Sequence, residues 1–316
     1  MIRRARRLQP GSIRDNVARN SKNVSEKETG RRTLRDRMKT NPQDLIEFRE
    51  TPSLKDATLL MAFTGWMDGG EVSTGTVNRI VHLLEAKPFA ELNSEPFYIF
   101  NFPGSMETAA MFRPEIDIVD GLVLNVEMPE NTFYWHEESN LVFFVGQEPH
   151  LCWPTFRDSL FYLAERIGIS RFLFSGSFGG SVPHTRQPRL YITASEERLL
   201  DEMDPFNVRR TSYEGPGSFM SYLMTQVPSA GLEMISLIAE IPGYLHGKNP
   251  MSIEAVTRRL AKILQLPLEL DSLRQASNNW EEHISTIVEE NDELVEKIRE
   301  MEKDYDDELI SDSPPE

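Results

Sequence analysis

The feature that most constrains how this chain can fold is a buried strand running directly into a glycine turn and an amphipathic helix. Residues 57–63 (Ala-Thr-Leu-Leu-Met-Ala-Phe) form a nearly unbroken apolar run, too short for a helix of its own and suited to a strand covered on both faces. Gly65 and the pair Gly69-Gly70 then bracket Trp66 and Asp68, and glycines there permit positive φ and close backbone approach. After the turn, Val72, Thr76, Val77, Ile80, Val81 and Leu84 fall at helical spacing, with Glu71 in the first turn where a negative charge suits the helix dipole. Strand, turn and helix make the opening half of a parallel βαβ unit. In open α/β sheets, ligands and partners collect at such turns, beyond the carboxyl ends of the strands.

Further strands follow. Pro96–Phe100 reads as a second strand running into the turn Asn101–Ser105, and 121–127, 131–135 and 141–146 read as neighbours in the same sheet. Connections this short demand hairpins, so the sheet is mixed. A helix opens at Trp153-Pro154 and ends before Gly168. Arg171–Ser175 is a buried strand followed by a loop from Gly176, 191–193 is a short strand, and Ser195–Met203 a short helix. Gly217–Gln226 reads as a helix, Leu232–Ile241 as a central strand, and Ser252 as the cap of a helix over 253–264. The expected fold is a three-layer α/β domain over 44–268, a mixed, mostly parallel sheet flanked by helices, with a C-terminal helical extension over 269–305. In that extension Trp280, Ile287, Leu294 and Met301 recur every seven residues, with Ile284, Asn291, Ile298 and Tyr305 four residues after each. This heptad seam with one Asn suits a coiled coil, and a stripe packed on its own domain is the plain alternative.

Charge divides the chain. Residues 1–40 hold 13 Lys/Arg against 4 Asp/Glu, whereas residues 281–316 hold 3 against 15, and the net charge is −16. Residues 1–43 read as a disordered basic arm and 306–316 as an acidic disordered tail. The arm is either a handle for nucleic acid or acidic partners, or a solvated tail preceding a start near Met38. So acidic a body is a poor general nucleic-acid binder. The single cysteine, Cys152, rules out an internal disulfide and fits a cytoplasmic protein. No apolar run is long enough for a membrane span, and no secretory leader is expected.

Complete catalytic motifs are missing. Ser175-Gly176-Ser177-Phe178-Gly179 follows a strand as a nucleophile elbow would, but position 175 is Ser where Gly is required, and Gly180 with Pro183 replaces the helix that must follow. The run is better read as a main-chain turn able to accept an anion. His136-Glu137-Glu138-Ser139-Asn140 fails a zinc motif at its fifth position, and the six histidines are scattered, so neither metal nor cofactor is expected. What survives is a candidate ligand pocket at the strand ends: Gly65, Trp66, Asp68, Gly69, Gly70, Ser105, Glu127, Gly176, Ser177, His184, Arg186 and Glu214. Glu127, His184 and Glu214 suit general acid–base work, and Arg113 or Arg186 suits an anion. The plainer reading has Asp68 and Ser105 capping helices, Trp66 packing, and the rest in an interface.

Gly65-Trp66-Met67-Asp68-Gly69-Gly70 after a buried strand resembles the opening motif of the proteasome assembly chaperone family, second-subunit type, in its bacterial and archaeal branch. Phe102-Pro103-Gly104-Ser105, Gly176-Ser177-Phe178-Gly179-Gly180 and Tyr213-Glu214-Gly215-Pro216-Gly217-Ser218 extend the resemblance over roughly residues 55 to 265. The resemblance implies a fold similar to purine nucleoside phosphorylases, oligomerisation, protein partners and no established catalysis. Family members that dock on the proteasome end in a hydrophobic–Tyr–any-residue tail, whereas this sequence ends Ser313-Pro314-Pro315-Glu316. The expectation is therefore a non-catalytic, homo-oligomeric assembly or scaffold protein without that docking tail. The alternative is a nucleoside- or anion-binding protein or enzyme using the strand-end pocket.

Overall fold

The apolar run over 57–63 does become a strand buried on both faces, and the rest of the molecule is laid out around it. The structure is a computed structural model that describes residues 41–311; the basic arm as far as Thr40 and the last residues of the acidic tail lie outside them. In chain order the strands are β1 (Ile46–Phe48), β2 (Ala57–Thr64), β3 (Lys87–Leu92), β4 (Glu115–Val119), β5 (Leu122–Glu127), β6 (Thr132–His136), β7 (Leu141–Gln147), β8 (Ile169–Gly180), β9 (Arg189–Ala194), β10 (Arg209–Arg210) and β11 (Glu233–Pro242). The helices are α1 (Val72–Leu83), α2 (Met106–Ala110), α3 (Trp153–Ile167), α4 (Glu197–Met203), α5 (Phe219–Gln226), α6 (Pro250–Ile263), α7 (Asp271–Glu289) and α8 (Asp292–Ser311).

Nine strands form one sheet in the order β1-β3-β6-β7-β2-β8-β11-β9-β10, and β4 with β5 forms a separate ribbon. β2 is the middle strand, parallel to β7 on one side and β8 on the other, and β8 is parallel to β11. Antiparallel pairs flank this parallel centre, and of these the β6–β7 pair is the hairpin that a short connection requires. Because side chains alternate along a strand, β2 feeds both layers. Leu59, Met61 and Phe63 enter a core with α3 and α5, and Leu60 and Ala62 enter one with α1 and α6.

Several expectations need correction. Residues 96–100 form no strand; β3 takes that place, and the aromatics there serve as side-chain anchors. Phe97 packs edge-on against Phe156 at 4.8 Å, and the Tyr98 hydroxyl lies 2.7 Å from the Gln147 carbonyl. Residues 121–127 belong to the ribbon and not to the main sheet. The loop expected from Gly176 is strand, in register with β11 as far as Gly180. The glycines there answer crowding: a Cβ on Gly176 would sit 2.7 Å from the Phe174 ring, and one on Gly179 3.0 Å from Gly243. The cap of α6 is Asn249, whose Oδ1 accepts the Ser252 amide at 2.9 Å ahead of Pro250.

The long C-terminal helix is two helices. Asn291 stands at the break and its side chain accepts the amides of Glu293 and Leu294 at 3.0 and 3.3 Å, which makes it the cap of α8 and not a register device in a seam. Ile298 and Tyr305 are buried on the chain's own body, whereas Ile287 and Leu294 of the heptad pattern stay exposed.

Candidate functional site at the carboxyl end of the sheet

The turn after β2 is held from three sides. Gly65 has φ +126°, and Gly70 has φ +62° with the site of a Cβ only 2.9 Å from Asn249 Cβ, so glycine is required at both. Ser177 at the end of β8 donates its amide to the Met67 carbonyl at 2.8 Å and its hydroxyl to the Gly69 carbonyl at 2.7 Å. Asn249 donates its amide to the Gly70 carbonyl at 2.8 Å. The carboxylate of Asp68 accepts the Thr74 amide at 3.1 Å and the Thr74 hydroxyl at 2.8 Å. Burial pushes the Asp68 carboxyl up to about 6, against the pull of these bonds.

Glu148, just beyond β7, completes the site and was not foreseen. One of its oxygens accepts the Phe219 amide at the start of α5 at 2.7 Å, and the other accepts the Trp66 amide at 3.3 Å. Amides that would suit an external anion thus meet a carboxylate of the chain itself. No short motif reveals this, because the partners lie 71 and 82 residues apart in sequence.

The expected site residues fall into three groups. Gly65, Trp66, Asp68, Gly69, Gly70, Gly176 and Ser177 assemble around the turn, and Trp66 points outward, 64% exposed. His184 and Arg186 lie on the segment after β8, beneath the C-terminal helices. His184 is buried between two hydroxyls. The Tyr244 hydroxyl accepts the His184 amide at 2.8 Å and lies 2.8 Å from Nδ1, and the Ser285 hydroxyl lies 3.2 Å from Nε2. Burial lowers the imidazole pKa and pushes the Tyr244 phenol up to about 12. Arg186 pairs with Asp306 at 2.9 Å and Glu302 at 3.4 Å of α8. Ser105, Glu127 and Glu214 stand apart and exposed: Ser105 caps α2, Glu127 lies opposite Glu115 in the ribbon, and Glu214 sits in a loop before α5. Arg113 donates to Asn101 at 3.2 Å.

As a chemical device the assembled cluster is thus occupied with itself. The Ser177 hydroxyl is committed to a carbonyl, and both ring nitrogens of His184 are committed to hydroxyls. Two open clefts of about 540 Å³ lie elsewhere, one along β1, β3 and β6 and the other beside Asn78–Ala86. No group of acidic, histidine or cysteine side chains among the described residues has the arrangement of a metal site. None of the helices among them is long and apolar enough to cross a membrane.

Apolar side chains stand in solvent outside both core layers. The ribbon exposes Ile116, Ile118, Leu122, Val123, Leu124 and Val126, and neither core layer includes any of its residues. Phe178, beside Ser177, is also exposed, and Phe102 stacks on Phe112 at 4.9 Å near the ribbon's base. A signal for the ribbon was present in Asp120-Gly121 between two short apolar runs, and both residues take positive φ: the pattern of a two-residue hairpin turn.

The model of the PAC2 family matches residues 62–288. Among solved structures, the proteasome-assembly chaperone homologue of Mycobacterium tuberculosis is similar at 25% identity, TM-score 0.66, covering 76% of this chain and 99% of that one. A PAC2 family protein from Streptomyces avermitilis MA gives 24% identity and TM-score 0.64 over 77% and 99% of the two chains. A protein of unknown function from Corynebacterium glutamicum shares the fold, with TM-score 0.73 at 18% identity over 85% and 99%. None of the curated proteins matches this chain. The family match runs from the last residues of β2 into the last turn of α7 and so takes in the glycine turn, the ribbon and every strand from β3 to β11: this chain belongs to the PAC2 family.

Proposed function

We propose that this protein is a non-catalytic, chaperone-like assembly or scaffold protein that works as a homo-oligomer through protein–protein contact. The observation that carries the reading is the β4–β5 ribbon, whose apolar side chains stand in solvent. Exposed apolar patches of that kind are rare on monomers and mark surfaces that meet another protein. Family membership and the likeness to a proteasome-assembly chaperone homologue support the same role. The polar groups of the glycine turn support it too, since Ser177 and Asp68 bond to the chain itself. Sedimentation velocity of the full chain is the test. An oligomer that persists at micromolar concentration is expected, and a monomer would overturn the oligomeric reading.

A second reading, a small-molecule site at the glycine turn, is favoured by one observation. Asp68 titrates near 6 beside an exposed Trp66, and perturbed carboxyls collect at functional sites. A thermal-shift screen with nucleosides, nucleotides and phosphate addresses it, because a ligand at 100 times its dissociation constant adds about 2.7 kcal/mol. A flat response across the screen removes this reading.

A further inference from the structure

Past β8 the body turns arginines toward α8. Arg186 holds the Asp306 carboxylate at two points, Nε to one oxygen at 3.0 Å and a terminal nitrogen to the other at 2.9 Å. Arg189 and Arg209 both pair with Glu308, and the Thr185 hydroxyl donates to Glu302. Among these pairs the Tyr305 ring lies 4.6 Å from the Arg189 guanidinium. The body thus reads Glu302, Tyr305, Asp306 and Glu308 along one side of a helix.

Three observations separate this groove from the helix that fills it. Of the 20 residues of α8 only Ile298 and Tyr305 are buried, so the helix is held chiefly by polar contacts that can be exchanged. The groove, in contrast, is built into the sheet: Arg189 opens β9, its side chain is 9% exposed, and Glu240 of β11 braces it at 3.4 Å. Even with α8 in place, the buried Nε of Arg189 has no acceptor among the described residues, so α8 leaves part of the groove's bonding capacity unfilled. The family match, moreover, ends at residue 288, before α8 begins at Asp292, and Arg186, Arg189 and Arg209 all lie within it.

We infer that this groove is a docking site for an acidic, tyrosine-bearing helix of a partner protein, and that α8 is a stand-in which such a helix displaces. Charge complementarity selects the occupant. Arginine forks match carboxylates at two points, whereas a basic helix would be repelled and an aliphatic one would strip water from the guanidiniums without replacing it. A tethered α8 is present at high effective concentration, so a helix in solution competes well only once α8 is loosened. The inference goes beyond the assembly role proposed above and holds whether or not the chain is an oligomer.

The probe is a fluorescein-labelled peptide of residues 292–311, titrated onto the full chain and followed by anisotropy. Tyr305→Ala and, independently, Asp306→Ala with Glu308→Ala loosen α8 and leave the groove itself unchanged. Each should bind the peptide at least about tenfold more tightly than wild type, because the tethered competitor is weakened. Adding Arg186→Ala to the Tyr305→Ala chain should reverse that gain, and so should a peptide in which Tyr305 is replaced by Ala. No binding to either loosened chain overturns the docking site, as does equal binding of a peptide with the same composition in scrambled order. Sedimentation velocity of the peptide with wild-type chain identifies the source of the helix. Unchanged sedimentation supports a separate partner, whereas an oligomer that comes apart as peptide is added puts α8 of a second copy in the groove and overturns it.

Discussion

Asp68 is the residue at which structure and titration meet most directly. Burial raises its carboxyl from 3.8 to about 6, although Thr74 supplies two hydrogen bonds to it. Between about pH 4 and 6 the folded state keeps a proton that the unfolded chain has already released. The contribution of this group to stability is therefore largest below about pH 4, falls as pH rises through that window, and is level above it. Asp68→Asn keeps an acceptor for the Thr74 amide and cannot ionise. The stability of the variant relative to wild type should accordingly rise as pH increases through the window and level off above it, read from urea midpoints at each pH; a difference that stays constant contradicts the account. Residues at this scale were only partly legible. The roles of Gly65 and Gly70 in a strand-to-helix turn follow from their spacing, and Asp68 does support the helix that follows. Glu148 was invisible because its value comes from two amides brought to it by the fold.

At the scale of elements, α8 is a strap fastened from above. Its buried contacts are Ile298 and Tyr305. The Tyr305 hydroxyl donates to the Gln187 carbonyl at 3.0 Å, and its ring lies 4.6 Å from the Arg189 guanidinium. The ion pairs beside them, Arg186 with Asp306 and Arg209 with Glu308, are partly exposed and contribute on the order of 1 kcal/mol or less apiece. Tyr305→Ala should therefore open α8 locally before the sheet is affected. Hydrogen exchange is expected to speed up by about tenfold or more across Asp292–Ser311 while β2 amides stay protected, since each 1.4 kcal/mol is tenfold in an opening equilibrium. Equal acceleration in β2 would show that the helix is integral to the core. The heptad pattern across 280–305 misled because a seven-residue repeat continues through a break without registering it. The local sequence at Asn291, an Asn followed by Asp and Glu, is a helix start, and the side chain that interrupts the seam is the one that caps α8. The ribbon was misplaced for a related reason. An apolar run reads as sheet in either setting, and only its pairing partner decides which sheet.

For the whole molecule, the architecture was legible where burial is two-sided. The run 57–63 gave the central strand, and 232–241 gave its neighbour but one, because continuous apolar runs of that length suit parallel strands covered by helices on both faces. The order of the flanking strands was not legible, since it depends on long-range pairing that no local pattern encodes. What the chain does as a molecule turns on surface more than on core. Replacing Ile116 and Val126 together by Ser leaves the ribbon's turn and both core layers untouched and removes two of its exposed aliphatic side chains. Sedimentation velocity of that double variant beside the wild type is the most direct measurement of the central claim. The account predicts an oligomeric wild type and a variant shifted toward monomer with its far-ultraviolet circular dichroism preserved; a variant that sediments as the wild-type oligomer would contradict it.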